Sequence, residues 1–164
     1  MSNDFLERFD VFWSERQPPR RRRMPDHPKV SGILPLGDTA DANERLLGLI
    51  LDRRCTALIS SLYRWQQTGR EIPAAGEFWL CTDSGGRPRC ILRTEPTQLI
   101  PYRSMTEELI RREGRESSLR AWQERWRPVL FSEARERNRV FSLDQLMVVM
   151  CFQLVYFERD EGEG

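Results

Sequence analysis

The feature that most restricts this chain is the stretch covering residues 77–94, where two alternating apolar and polar segments flank Asp83-Ser84-Gly85-Gly86-Arg87-Pro88. Alternation with a period of two is the mark of a strand with one buried face. A cluster of Asp, Ser, Gly and Pro between two such segments is turn chemistry. Antiparallel strands are therefore expected over residues 77–82 and 89–94, and a turn centred on Gly85-Gly86 sets Cys81 directly opposite Cys90. A third strand is expected over residues 98–100. Leu146–Phe157, rich in β-branched and aromatic residues, is expected as a long final one.

Helical periodicity surrounds these strands. Phe5, Phe9, Phe12 and Trp13 share one face of residues 4–15, a short helix expected to dock on the rest of the fold. Asp38 or Thr39 can cap a helix whose Leu46, Leu47, Leu49, Ile50 and Leu51 make a broad apolar face ending at Asp52-Arg53-Arg54. Residues 55–60 read as a short strand and 61–67 as a helical turn closed by Gly69. Residues 105–112 and 118–137 read as helices, the second with Leu119, Trp122, Trp126, Val129 and Leu130 along one side and Pro128 as a point of kinking. Strands mixed with helices in this order predict an α+β fold rather than a parallel sheet.

Residues 16–35 differ from the rest. Five prolines and the run Arg20, Arg21, Arg22 and Arg23 argue against helix and strand alike, so an extended basic arm is expected, either a solvated linker or a nucleic-acid contact. Elsewhere charge is balanced, 26 basic against 25 acidic residues, so bulk charge selects no partner. A chain of 164 residues with a 39% hydrophobic share has room for one core. It holds no apolar run near the roughly 18 residues that cross a bilayer, and no signal-peptide core at its start, so a cytoplasmic protein without a membrane partner is expected. Cys55, Cys81, Cys90 and Cys151 are scattered without a CxxC pair and His27 is the sole histidine. Ordinary zinc spacings and histidine-assisted triads are excluded unless His27 serves, and no metal or cofactor is expected. In a reducing compartment two buried thiols are favoured over a Cys81–Cys90 disulfide.

Several local patterns stand together in one order. Leu36-Gly37-Asp38-Thr39 precedes Leu49-Ile50-Leu51 and Arg53-Arg54-Cys55-Thr56-Ala57. Ser60-Ser61-Leu62-Tyr63, Gly69, Pro73 and Gly76-Glu77 follow, then Asp83, Gly86, Pro88, Cys90 and Ile91, and finally Glu113-Gly114, Ser118-Leu119 and Trp122. This series resembles the ASCH domain, of the PUA-like superfamily. The resemblance implies a small twisted β-barrel with peripheral helices over residues 36–158 and a groove beside the helix ending at Arg54, while composition sets off an N-terminal helix and basic arm over 1–35 and an acidic tail over 159–164. It also implies RNA or nucleotide-like ligands, and in some members hydrolysis through a lysine and second threonine of a G-x-K-T-x-T segment and a later glutamate.

Here Arg53 stands at the glycine, Cys55 at the lysine and Leu58 at the second threonine, while Glu113 matches the glutamate in a register one residue short. A desolvated lysine can act as nucleophile or base, and a thiolate at Cys55 could replace it if Arg53 or Arg54 lowered its pKa. With no histidine to assist, Cys55 is favoured as a small buried filler, and binding without hydrolysis is the expectation. Arg53, Arg54, Arg64, Arg93 and Arg115 are the expected phosphate contacts, Tyr63 or Trp65 a stacking face, and Thr56, Ser60, Ser61 and Glu113 polar groups of the groove. Two alternatives stay open: a ribonuclease or amidohydrolase of a modified nucleoside using Cys55 and Glu113, and a protein-interaction scaffold.

Overall fold

The computed structural model describes residues 2–17 and 28–158; the arginine run, His27 and the tail at 159–164 lie outside them. Among the described residues six strands, β1 (Val30–Ile33), β2 (Ala57–Ser61), β3 (Phe78–Thr82), β4 (Pro88–Thr94), β5 (Gln98–Pro101) and β6 (Leu146–Phe157), form one sheet. Around it lie α1 (Ser2–Arg16), α2 (Ala40–Leu51), α3 (Leu62–Thr68), α4 (Glu107–Glu113) and α5 (Leu119–Glu136). The expected α+β class holds. The strand path runs β1-β3-β4-β6-β2 with β5 also on β6, and among the described residues no pairing joins β1 to β2, so the sheet is open rather than a closed barrel.

The hairpin keeps its expected register, with Cys81 opposite Cys90 and both thiols free and buried, but its turn is built differently. Asp83, not the Gly-Gly pair, organises it: its carboxylate accepts from Gly85 N and Arg87 N, and its amide donates to Arg87 O. The loop is one residue longer than a two-residue turn, and a bulge between Cys81 and Thr82 restores the pairing. The third strand, β5, pairs with β6 rather than extending the hairpin. Against expectation, residues 30–33 are a strand, parallel to β3. The prolines of this region flank that segment without entering it, so its amides remain able to pair.

Period-two alternation along β6 divides the core. Met147, Val149 and Cys151 face a cluster with Trp122, Trp126, Leu130 and Ile110 from α4 and α5, while Met150 and Phe152 face Leu46, Leu47 and Ile50 of α2. A third cluster forms where Phe5 and Phe9 of α1 cover Phe78, Leu80 and Ile91. Thr39, Ser61, Thr106 and Ser118 cap α2, α3, α4 and α5, each side chain accepting from a backbone N–H in the first turn of its helix.

Candidate functional site

The site begins where α2 hands the chain to β2. Arg53 adopts φ 59°, the left-handed conformation that glycine takes without strain and that costs other residues about 1 kcal/mol. Arg53 stands where the resembled segment has glycine, in a conformation that suits glycine. Arg54 N and Cys55 N then both donate to Leu49 O, and Thr56 N donates to Arg112 O, which ties the start of β2 to α4. At the other end of β2, Ser61 Oγ accepts from Arg64 N to start α3 and donates to Glu133 Oε1 at 2.7 Å.

Between these elements and α4–α5 lies a half-open cavity of about 360 Å³. Its apolar walls come from Leu34, Leu46, Leu58, Trp65, Trp126, Val129 and Met150, and its charges from Asp38, Arg64, Arg70, Glu113, Arg115 and Arg125. Glu113 is the deepest charge, 1% exposed. It accepts from Ile59 N at 3.1 Å and from Arg125 Nη2 at 3.0 Å. Burial pushes its carboxyl up to about 7, helped by Glu116 and opposed by Arg125, Arg115 and the Ile59 amide. A carboxyl in that range can hold or release a proton near neutrality, as a general acid or base requires. Burial also raises Glu133, against the pull of Ser61, Arg64 and Arg137.

The residues singled out from sequence fall into two sets. Glu113, Arg115, Ser60, Arg64 and Trp65 line the cavity, as does Leu58, with Ser60 Oγ accepting from Trp65 Nε1 at 2.7 Å and Arg64 paired with Asp38. The others stand outside the lining. Cys55 is 1% exposed, its Sγ donates to Ala57 O at 3.2 Å, and burial pushes its thiol up to about 12. Arg53 and Arg54 are exposed beyond the end of α2. Thr56 Oγ1 accepts from Arg112 Nε, and Ser61 is wholly buried as a helix cap. Tyr63 donates to Glu136 and lies under Arg137, whereas Arg93 lies over Trp13 and Phe78 in the cluster covered by α1.

Among the charged and aromatic residues of the lining, Asp38, Arg70, Arg125 and Trp126 are not among the site members expected from sequence. Trp126 carries the helical periodicity of a core residue, and it is both core and wall, 6% exposed. Arg125 meets Glu113 only because α4 and α5 fold back on each other, and nothing in a local pattern reports that contact.

A family model described as an ASCH domain matches residues 33–156. Among solved structures, the chain is similar to an ASCH domain from Lactobacillus crispatus JV V101, at 25% identity and a TM-score of 0.68 over 93% of this chain and 95% of that one. It is similar also to a protein from Enterococcus faecalis V583, at 26% identity and a TM-score of 0.66 over 97% and 94% of the two chains. No curated protein matches it.

Proposed function

The chain belongs to the ASCH domain family, and from that premise we propose that its half-open cavity binds RNA or a nucleotide-like ligand without any chemical part for Cys55. The observation that carries this reading is the lining: Trp65 and Trp126 with Arg64, Arg70, Arg115 and Arg125 around a space of about 360 Å³. That volume suits a small ligand, and aromatic faces with guanidinium groups are how unpaired bases and their phosphates are held. Cys55 lies outside the lining with its thiol held neutral, and Leu58 presents a hydrocarbon where hydrolytic relatives need a hydroxyl. On this reading residues 36–158 are the binding domain, the arm and tail are appendages, and the open sheet is the PUA-like scaffold behind the cavity.

Fluorescence polarisation with short RNAs across a salt series tests it. Binding is expected at low salt, weakening as salt rises, with Trp65→Ala costing about 1–3 kcal/mol. No binding at low salt, or binding indifferent to salt, overturns the reading. A second reading, hydrolysis of a modified nucleoside or of RNA phosphodiesters, is favoured by one observation, the neutral-range carboxyl of Glu113 inside the cavity. Turnover that vanishes in Glu113→Gln would support it, and undiminished turnover in Cys55→Ser would remove the thiol from the mechanism.

A further inference from the structure

The pairing of the cavity's charges divides its four arginines in two. Arg64 is held by Asp38 and lies 3.8 Å from Glu133; Arg125 is held by Glu113 and by Glu116. These two have carboxylates of the chain itself and serve to join α3 to α5 and α4 to α5. Arg70 and Arg115 line the same cavity without an ion-paired or hydrogen-bonded carboxylate among the described residues, although the charge of Arg115 is felt by Glu113. The Nε of Arg115 is also closed off from solvent and has no acceptor. A guanidinium carries five donors in a fixed fork and cannot shed its charge. Leaving one partly buried without an acceptor costs free energy that an acceptor from outside the chain recovers.

Geometry limits what that acceptor can be attached to. Glu113 already takes the Ile59 amide and Arg125 as its donors, whereas the guanidinium groups of Arg70 and Arg115 make no hydrogen bond or ion pair among the described residues, so the negative end of a ligand belongs at these two. The uncharged ring then falls toward the walls made by Trp65 and Trp126. The half-open cavity has the volume of a small-ligand pocket rather than the length of a strand-tracking groove.

We propose that Arg115 and Arg70 grip a phosphate, and that the cavity takes a single phosphate-bearing nucleotide unit, free or at the end of an RNA, in preference to an uncharged nucleoside. This rests on the binding function proposed above and names its ligand class.

Calorimetric titration of the whole chain at low salt provides the test, with the four nucleoside 5′-monophosphates, the four matching nucleosides, and a short RNA with and without a 5′-phosphate. At least one monophosphate is expected to bind about tenfold or more tightly than its nucleoside, the worth of a charge-assisted fork. Arg115→Ala is expected to abolish that ratio, Arg115→Lys to keep part of it, and Arg103→Ala, outside the cavity, to leave it intact. If Arg115→Ala fails to fold, Arg70→Ala, which alters an exposed side chain, is expected to reduce the ratio. Tighter binding of the 5′-phosphorylated RNA than of any monophosphate supports the proposal with an RNA end as the source. Nucleosides that bind as tightly as monophosphates, in the wild type and in Arg115→Ala alike, overturn it while leaving the proposed function standing. Silence from nucleosides, nucleotides and RNAs together overturns both.

Discussion

Glu113 is the side chain on which burial and charge pull hardest against each other. Its carboxyl is almost wholly removed from water, yet the Ile59 amide and Arg125 hold it in place, so it titrates near 7 instead of at its ordinary value of 4.5. The folded value lies above the unfolded one. The stability this provides is therefore complete below about pH 4.5 and is lost as pH rises to about 7, on the order of 3 kcal/mol in all. Glutamine keeps the shape of the protonated acid and has no proton to lose. Urea unfolding of wild type and Glu113→Gln should show the variant gaining about 2–3 kcal/mol on the wild type between pH 5 and pH 8. A gap that stays constant over that range would mean that Glu113 ionises as an ordinary surface acid does. Cys55 shows the same burial acting on a thiol: raised to about 12, it is neutral at any physiological pH and is no nucleophile as it stands.

At the scale of elements, the end of α4 decides how closely α4 can approach the start of β2. Gly114 closes α4 at φ 75°, and a Cβ there would lie 2.3 Å from Arg54 O, on the backbone segment that carries Cys55. Gly69 closes α3 at a similar φ of 65° with open space around it. The two together separate conformational cost from collision. Gly69→Ala is expected to cost about 1 kcal/mol, whereas Gly114→Ala must also push two backbones apart and is expected to cost about 3 kcal/mol or more. Thermal unfolding should place the second melt clearly below the first, by about 2–4 °C for each kcal/mol of difference; equal melts would remove the close approach as a constraint. Local rules made much of this legible in advance: a cap at Asp38 or Thr39, the closing role of Gly69, the bounds of β6 and the pairing of Cys81 with Cys90. What stayed hidden depends on partners far along the chain. Val30–Ile33 becomes a strand only by lying parallel to β3, which no alternation in four residues announces. Arg125 becomes a site residue only by facing Glu113 across two helices. Cys55 was legible as buried, but its exclusion from the cavity follows from the Arg53 turn and the Leu49 carbonyl that holds the Cys55 amide.

At the scale of the molecule, the described residues form one sheet covered by three groups of helices, two of which touch the cavity. α2–α3 and α4–α5 supply its walls, while α1 packs on the far end of β3, β4 and β6. That docking is aromatic: Phe5, Phe9 and Phe12 stand 5.2, 5.6 and 5.0 Å from the ring of Tyr156, and Phe9 also meets Phe78 at 5.8 Å. Arg8 adds an ion pair to Glu158, which joins the first helix to the end of the last strand but, being exposed, is a minor source of stability beside the rings. Phe9 has no exposed surface, so truncating it leaves a hole in a cluster that α1 and the sheet share. If α1 belongs to the same cooperative unit as the sheet, Phe9→Ala should lower stability by about 3–5 kcal/mol in a single denaturant transition, with an unchanged dependence on denaturant concentration. Affinity for the ligand should stay within about twofold, because sites far apart that share no partners act independently. A separate early loss of helical signal, with the main transition where it was, would make α1 an appendage instead of part of the core. A large loss of affinity in a still-folded Phe9→Ala chain would show that the sheet carries strain from α1 to the cavity.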